Sequence, residues 1–159
     1  MMKRHLMVGL IGVLLGLPVW SVAQSTELAG EDDAVRSTIR HFELALAEKS
    51  IAEIEAVVAS DLVVLENGHR NDGWTDFRDN HLIPELKEPS KINKSEMIKL
   101  RTTSEMAWAY TRSEMKLSGG SGRRLDGILW SAYVLERRAG KWKIVLLDWS
   151  LRVVKGSRG

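Results

Sequence analysis

The sequence predicts an α+β domain in which N-terminal helices pack on a strongly curved, mostly antiparallel sheet that encloses a pocket. Apolar residues recur at helical spacing through the first half of the chain. In the second half, four long extended stretches are separated by short turn sequences, which favours antiparallel pairing. Strands longer than about ten residues exceed the usual length. We therefore expect the sheet to bend, and helices that close a bent sheet leave a pocket between them.

Composition is consistent with one folded domain. The chain has 159 residues, of which 44% are apolar, enough for a hydrophobic core. Its basic residues are scattered and form no stripe at helical spacing, so we expect no nucleic-acid partner. The sequence has no P-loop, G-x-G-x-x-G or G-x-S-x-G motif, which argues against a nucleotide-binding protein or an α/β-hydrolase.

The first 23 residues have the layout of a secretory signal peptide. A positively charged start precedes an apolar or glycine run over residues 6–17, and Ser21 and Ala23 place small side chains before a cut after Ala23. The alternative, a membrane anchor, needs roughly 20 apolar residues, more than this run supplies. We therefore predict a signal peptide at 1–23, a periplasmic or secreted mature protein, and no stable membrane anchor after cleavage.

The mature chain divides into three predicted parts: a flexible leader at 24–31, the domain at 32–153 and a tail at 154–159. Removing the two basic residues of the signal peptide takes the formal charge from +2 to 0. The absence of cysteine excludes a disulfide and a lipoprotein anchor at the cut. An exported domain of this kind must rely on its hydrophobic core or on oligomerisation.

Two helices are predicted at the start of the domain. The first begins at Asp32, and its apolar stripe advances in steps of three and four: Val35, Ile39, Phe42 and Leu46. The second follows Ser50, which forms a capping box with Glu53. Its apolar side comprises Ile51, Ile54, Val57 and Val58. The short apolar run that comes next, Leu62–Leu65, predicts a strand.

The stretch after that strand is polar and contains two turn signals, at residues 67–68 and 72–73. A third helix is predicted from Trp74, with Phe77 and His81 on its apolar side, and Pro84 kinks or ends it. The second half then contains the four long strands. They are predicted at Ile92–Thr103, Met106–Leu117, Arg124–Arg137 and Lys141–Val153.

Three segments together resemble the nuclear-transport-factor-2-like superfamily, in its SnoaL-like branch of small bacterial domains. They are the opening "ALAEKSIAEIEAVVASDLVVLENG", the Gly-Trp-x-x-Phe start of the third helix and the closing "VLERRAGKWKIVLLDWS". The resemblance covers residues 32–152. It implies a conical fold with a deep cavity, and pairing of two copies through the outer face of the sheet. Function is left open, because such domains include isomerases, cyclases, dehydratases, epoxide hydrolases and non-enzymatic binders.

The last predicted strand is apolar on both faces. A strand with solvent on one side would alternate cleanly, so we expect the core to cover one face and a second subunit of a homodimer to cover the other. Counting by two places Asp148 on a largely buried face with Leu146 and Ser150. The aspartate is then either a structural partner of an arginine or a turn amide, or a polar group at the floor of the cavity.

Four residues are the catalytic candidates: Glu66, His69, His81 and Asp148. Glu66 and His69 follow the first strand, His81 lies on the third helix and Asp148 on the last strand. In the resembling fold these elements line one cavity, so the four side chains could converge. They would suit proton transfer or, alternatively, zinc, iron or another divalent metal. No other cofactor is expected, and an ordinary core histidine is the competing interpretation of His81.

An aromatic wall with one arginine is predicted to contact a ligand. Its residues are Phe77, Trp108, Tyr110, Arg112 and Trp130. The alternative is ordinary core packing with a salt bridge. Together these features predict an exported protein that holds an apolar or amphipathic small molecule without turnover. The alternative function is an acid–base enzyme of the isomerase, cyclase or dehydratase type, with or without a metal ion.

Overall fold

A computed structural model describes residues 20–87, 90–118 and 124–154 of the chain. The helical elements come first and the long strands last, as the sequence predicts. In chain order the elements are α1 (Trp20–Glu48), α2 (Ile51–Val57), β1 (Val58–Glu66), β2 (His69–Asp72), α3 (Trp74–Phe77), a π-helical segment (Arg78–Leu82), α4 (Ile83–Glu85), β3 (Ser90–Thr102), β4 (Met106–Ser118), β5 (Arg124–Arg138) and β6 (Lys141–Val154).

The strands form one mixed sheet with the order β2-β1-β6-β5-β4-β3. Strand β1 runs parallel to β6, and every other neighbouring pair is antiparallel. The sheet is open, with β2 and β3 at its edges, and the helices pack on it. The predicted α+β class and the mostly antiparallel sheet are therefore confirmed.

The four long strands also lie where the sequence predicts them. Three of the four strands begin at the predicted residue, and the other boundaries differ from the predicted ones by one or two residues. The start of β1 was predicted less well. Val58, which we placed in the second helix, has extended dihedral angles of φ −98° and ψ 160° and begins the strand. A β-branched residue loses side-chain freedom in a helix, which favours this earlier change to strand.

Residues 24–31, for which the sequence predicts a flexible leader, form part of helix α1. No proline interrupts this stretch, and its single glycine, Gly30, lies within the helix. Glu31 also ties the helix to the β5–β6 hairpin, since its carboxylate accepts a hydrogen bond of 2.7 Å from Trp142 Nε1 and pairs with Arg137. Residues 1–19 and 155–159 lie outside the described residues, so the signal peptide and most of the tail stay predictions.

In the part of the chain that the structure describes, no helix combines the length and the apolar character needed to cross a bilayer.

The core lies between the helices and one face of the sheet, which we call the inner face. The predicted stripe of α1 faces it, with Val35, Ile39 and Phe42 at most 1% exposed. Along β4 the inner positions are small residues: Ala107, Ala109, Thr111 and Ser113, all buried. These small side chains let α1 approach the sheet closely, as dense core packing requires.

A bulge in β6 decides which side chains reach the inner face. The pairing of β6 with β5 shifts between Leu135↔Ile144 and Val134↔Leu146, so one extra residue is inserted at Val145. A shift of one residue moves every later side chain to the opposite face. Ile144 is buried before the bulge, and Leu147 and Trp149 are buried after it. The uninterrupted alternation assumed from the sequence is therefore wrong for the second half of this strand.

Candidate functional site

The π-helical segment positions His81. Its defining bond runs from the Ile83 N–H to the Arg78 carbonyl, five residues earlier. Pro84 explains the wider turn, because proline lacks an N–H and its ring clashes with the carbonyl four residues before it. The segment lets Phe77 and Leu82, five residues apart, both face the core at 0% and 1% exposure. Such π turns are frequent at functional sites.

His81 contacts three polar side chains. Its Nε2 lies 2.9 Å from Glu66 Oε2 and 3.2 Å from Glu85 Oε1, while Nδ1 lies 2.8 Å from Asn71 Oδ1. The imidazole and the Glu66 carboxyl are sheltered, with 13% and 16% of their side chains exposed, whereas Glu85 is 52% exposed. The four groups form a cluster in which His81 and Glu66 are sheltered and Glu85 is open to solvent.

Hydrogen bonds determine which nitrogen of His81 carries a proton. Asp76 accepts from Asn80, Asn71 and the Asp72 N–H, and these bonds hold the pKa of Asp76 below its usual value. An ionised carboxylate can only accept, so Asn71 turns its NH₂ group to Asp76 and its oxygen to His81. The imidazole must then donate from Nδ1–H. In neutral His81, Nε2 therefore presents its lone pair to the two glutamates.

The surroundings of Glu66 disfavour its ionised form. Burial raises its pKa, and the nearby Glu85 carboxylate adds to this effect, while His81 opposes both. Its Oε2 is fully buried and receives no well-directed hydrogen bond, although Nε2 of the imidazole is near. A buried acceptor without a donor costs about 1–3 kcal/mol.

Aromatic rings surround the imidazole. The ring centroid of Phe77 lies 5.4 Å from that of His81, and Trp149 lies 6.5 Å away, both nearly edge-on. Trp149 also pairs directly with Glu66 across the β1–β6 ladder, so their side chains share the inner face. The polar cluster thus lies against an apolar aromatic wall.

Only part of the predicted four-residue centre comes together. Glu66 and His81 meet, and His69 lies opposite Glu66 in the β1–β2 ladder but is exposed. Asp148 pairs with Leu65 in the β1–β6 ladder. Its neighbours Leu147 and Trp149 point to the inner face, so Asp148 points to the outer face. The bulge in β6 reverses its expected direction, and Asp148 therefore does not join the cluster.

Glu85 also belongs to the cluster, although it is not among the site residues predicted from the sequence. The residue lies one helical turn after His81, and an i, i+4 histidine–glutamate pair is a signal that could have identified it.

A second polar cluster, which we call the Glu43 cluster, lies under α1. The Glu43 Oε1 atom accepts hydrogen bonds from three hydroxyls: Ser95 Oγ at 2.8 Å, Thr111 Oγ1 at 3.2 Å and Tyr133 Oη at 3.2 Å. The donors come from β3, β4 and β5. Burial, followed by the Glu43 charge, raises the pKa of Tyr133, so its hydroxyl stays protonated and donates.

The two clusters lie along one row of the inner face. Strand pairing aligns Thr111 with Ser131, Ser131 with Trp149, and Trp149 with Glu66. The row therefore runs from the Glu43 cluster past a tryptophan to the His81 cluster. Three strand spacings separate Thr111 from Glu66, about 14 Å along the sheet.

The predicted ligand wall is divided between two places. Phe77 is fully buried beside His81, but Trp108 and Trp130 are 42% and 41% exposed on the outer face. Tyr110 and Arg112 alternate with buried Ala109 and Thr111 along β4, so they share that outer face. Trp108, Tyr110 and Arg112 share the outer face of β4, and Trp130 lies opposite Arg112 on β5. Their predicted position inside a pocket is wrong, because the inner face of β4 carries the small residues instead.

Comparison with known proteins shows the fold alone. No family model and no curated protein matches this chain. A ketosteroid isomerase-like protein from Erwinia carotovora superposes with a TM-score of 0.68 and 14% identity, over 76% of this chain and 95% of that one. A nuclear-transport-factor-2-like protein of unknown function from Pseudomonas putida gives 0.66 and 16%, over 77% and 87%. A Caulobacter vibrioides protein with a cystatin-like fold gives 0.63 and 15%, over 76% and 88%.

Each of these similarities extends over about three quarters of this chain and most of the neighbour, so the fold is shared. The resemblance inferred from the opening and closing segments of the sequence is thereby confirmed for the fold. This chain has the nuclear-transport-factor-2-like fold.

Proposed function

We propose that the protein binds a small apolar or amphipathic molecule against the inner face of the sheet, under α1. The observation that carries this proposal is the Glu43 cluster. Three strands each supply a hydroxyl to one carboxylate oxygen, at the edge of a core that is mostly apolar. The Glu43 side chain is partly buried. Removing a carboxylate from water costs free energy even when it is hydrogen-bonded, and apolar side chains of similar volume would stabilise a purely structural core as well or better. A few placed polar groups among apolar ones are typical of a ligand site.

The surroundings of Glu43 indicate the class of ligand. Its carboxylate favours a ligand that donates a hydrogen bond, through a hydroxyl or an amine. Phe42 and Trp149, whose ring centroids are 6.3 Å apart, form an aromatic layer on the inner face, and Trp149 is the less deeply buried of the two at 8% exposure. This layer favours a ligand with an apolar ring. A hydroxylated aromatic or alicyclic compound combines these two properties.

Binding of defined probes tests the proposal. A panel of hydroxylated aromatics that includes 2-naphthol, together with enolisable ketones, would be titrated by calorimetry. We expect at least one compound to bind the wild type and Glu43→Leu to weaken that binding about tenfold or more, because a charge-assisted hydrogen bond is lost. Glu114→Gln, on the outer face of β4, is the matched control and should leave binding unchanged.

Two results would contradict this proposal. One is that no compound of the panel binds the wild type. The other is that Glu43→Leu, shown to be folded by circular dichroism, binds its compounds as tightly as the wild type.

Acid–base catalysis is the second candidate function. The description of the Erwinia carotovora neighbour as ketosteroid isomerase-like supports it, as does a sheltered imidazole beside an aromatic wall. In this alternative the bound molecule would be isomerised, cyclised or dehydrated. Assays of the same ketones with the wild type and His81→Ala would decide, and equal rates for both proteins would remove His81 from the mechanism.

We also propose that the protein is exported and forms a homodimer. The signal-peptide layout of residues 1–23 supports export, which fractionation of cells that produce the full chain would test.

Large apolar side chains on the outer face support the dimer, since Met106, Trp108 and Trp130 are 41–49% exposed there. Light scattering should give twice the chain mass for the wild type and the single mass for Trp130→Glu. A wild-type monomer would contradict the dimer.

A further inference from the structure

The geometry around His81 fits a metal ion. One ligand atom each from Glu66, His81 and Glu85 lies within 4.8 Å of the other two. Donor atoms that bind a tetrahedral zinc ion at 2.0–2.2 Å are about 3.4 Å apart. The distances from Nε2 to the two carboxylate oxygens, 2.9 and 3.2 Å, are close to that value. Small movements of the side chains would therefore convert these contacts into coordination.

The hydrogen bonds to His81 leave the correct nitrogen available. Because Asn71 accepts from Nδ1–H, the lone pair of neutral His81 is on Nε2, which faces both glutamates. Metal-binding histidines nearly always donate their other N–H to such an acceptor, which fixes the orientation of the ring. Asp76 in turn fixes Asn71 through a bond of 3.0 Å.

The buried carboxylate oxygen of Glu66 supports a metal site independently of these distances. Its buried Oε2 lacks a directed donor within the described part of the chain, while a second carboxylate lies nearby. A divalent cation would satisfy that oxygen and balance the two negative charges. An imidazole with two carboxylates suits zinc, iron(II) or manganese, whereas magnesium and calcium prefer oxygen ligands alone.

We propose that Glu66, His81 and Glu85 form a binding site for a divalent transition metal ion, with zinc as the reference ion. Three protein ligands leave a fourth position for water or for a polar group of a bound molecule, as in catalytic zinc sites. The site lies across Trp149 from the Glu43 cluster, so it does not depend on the function proposed above. The competing structure is an imidazolium that bridges two carboxylates without any metal.

Metal titration separates these two structures. Chelator-treated wild type would be titrated at neutral pH with zinc chloride by calorimetry, and with cobalt(II) chloride by visible absorption. We expect one equivalent of either ion to bind and cobalt to give the intense bands of a four-coordinate site. Glu85→Gln, which changes a half-exposed side chain and should fold normally, should weaken zinc binding at least tenfold, and His81→Ala should abolish it.

The His41–Glu53 pair supplies the control. The distance from His41 Nε2 to Glu53 Oε2 is 2.7 Å, but this pair has only one carboxylate and both of its side chains are more exposed than those of His81 and Glu66. Glu53→Gln should therefore leave zinc binding unchanged. Less than a tenth of an equivalent bound by the wild type would overturn the proposal, as would zinc binding that both Glu85→Gln and His81→Ala leave intact.

Discussion

Replacing Phe42 with alanine is expected to lower the free energy of unfolding by about 3–5 kcal/mol. Phe42 is fully buried, and its ring contacts Tyr133 edge-on at 6.2 Å and Trp149 at 6.3 Å between centroids. The truncation would open a void between α1 and the inner face, where the surrounding strands can relax only partly. Unfolding in urea, followed by circular dichroism, measures the change.

Leu44→Ala provides the matched comparison. Leu44 lies two residues further along the same helix but is 52% exposed. Its truncation should change the free energy of unfolding by no more than about 0.5 kcal/mol. If Phe42→Ala cost no more than Leu44→Ala, the packing of α1 on the inner face would be wrong.

Replacing Asn71 with leucine is expected to weaken zinc binding about 10–100-fold, the usual effect of losing a group that orients a metal ligand. Asn71 is not itself a proposed ligand. It accepts from His81 Nδ1 at 2.8 Å and donates to Asp76 at 3.0 Å, so leucine would release the imidazole ring and remove the bond that selects its tautomer. Calorimetric titration of the chelator-treated variant with zinc measures the effect.

Asn80→Leu separates the orientation of His81 from general damage to the loop. Asn80 also donates to Asp76, at 2.8 Å, but the described contacts of Asn80 do not include His81. This variant should bind zinc within about twofold of the wild type, since the hydrogen bond to the ligand is untouched. Equal losses in Asn71→Leu and Asn80→Leu would mean that Asn71 has no specific role in orienting the imidazole.

The long strands could be predicted from the sequence because their signals are local. Each is an extended stretch of ten or more residues next to turn-forming residue types in the sequence. In the β5–β6 connection, residues 139 and 140 both adopt positive φ. Strand β2 was missed because its four residues are polar and offer no apolar pattern. The signal was the Asn67-Gly68 pair, whose φ values of 49° and 85° fit the two-residue turn of a hairpin.

The direction of Asp148 could not be predicted, because a bulge leaves no reliable mark in the sequence. The extra residue at Val145 arises from pairing with β5, and pairing is a property of two distant segments. Counting by two is correct up to Ile144 and reversed from Leu147 onward. A single inserted residue thus moved one predicted site residue to the opposite side of the sheet.

Glu66 could be identified because it is an acidic residue directly after an apolar strand, and His81 because it is a polar residue on the apolar side of a helix. Glu43 has the same signature and was overlooked: it lies four residues after buried Ile39 and next to Phe42, on the side of α1 that faces the sheet. Its partners come from three strands that are far away in the sequence. Only the folded structure shows that their hydroxyls meet on one oxygen.

The most direct test of the account is a crystal structure of the wild type soaked with the tightest-binding compound of the probe panel. The account predicts that the compound lies on the inner face, packed against Trp149, with its donor group about 2.7–3.2 Å from the Glu43 carboxylate. A compound bound only on the outer face, at Trp108 and Trp130, would contradict it.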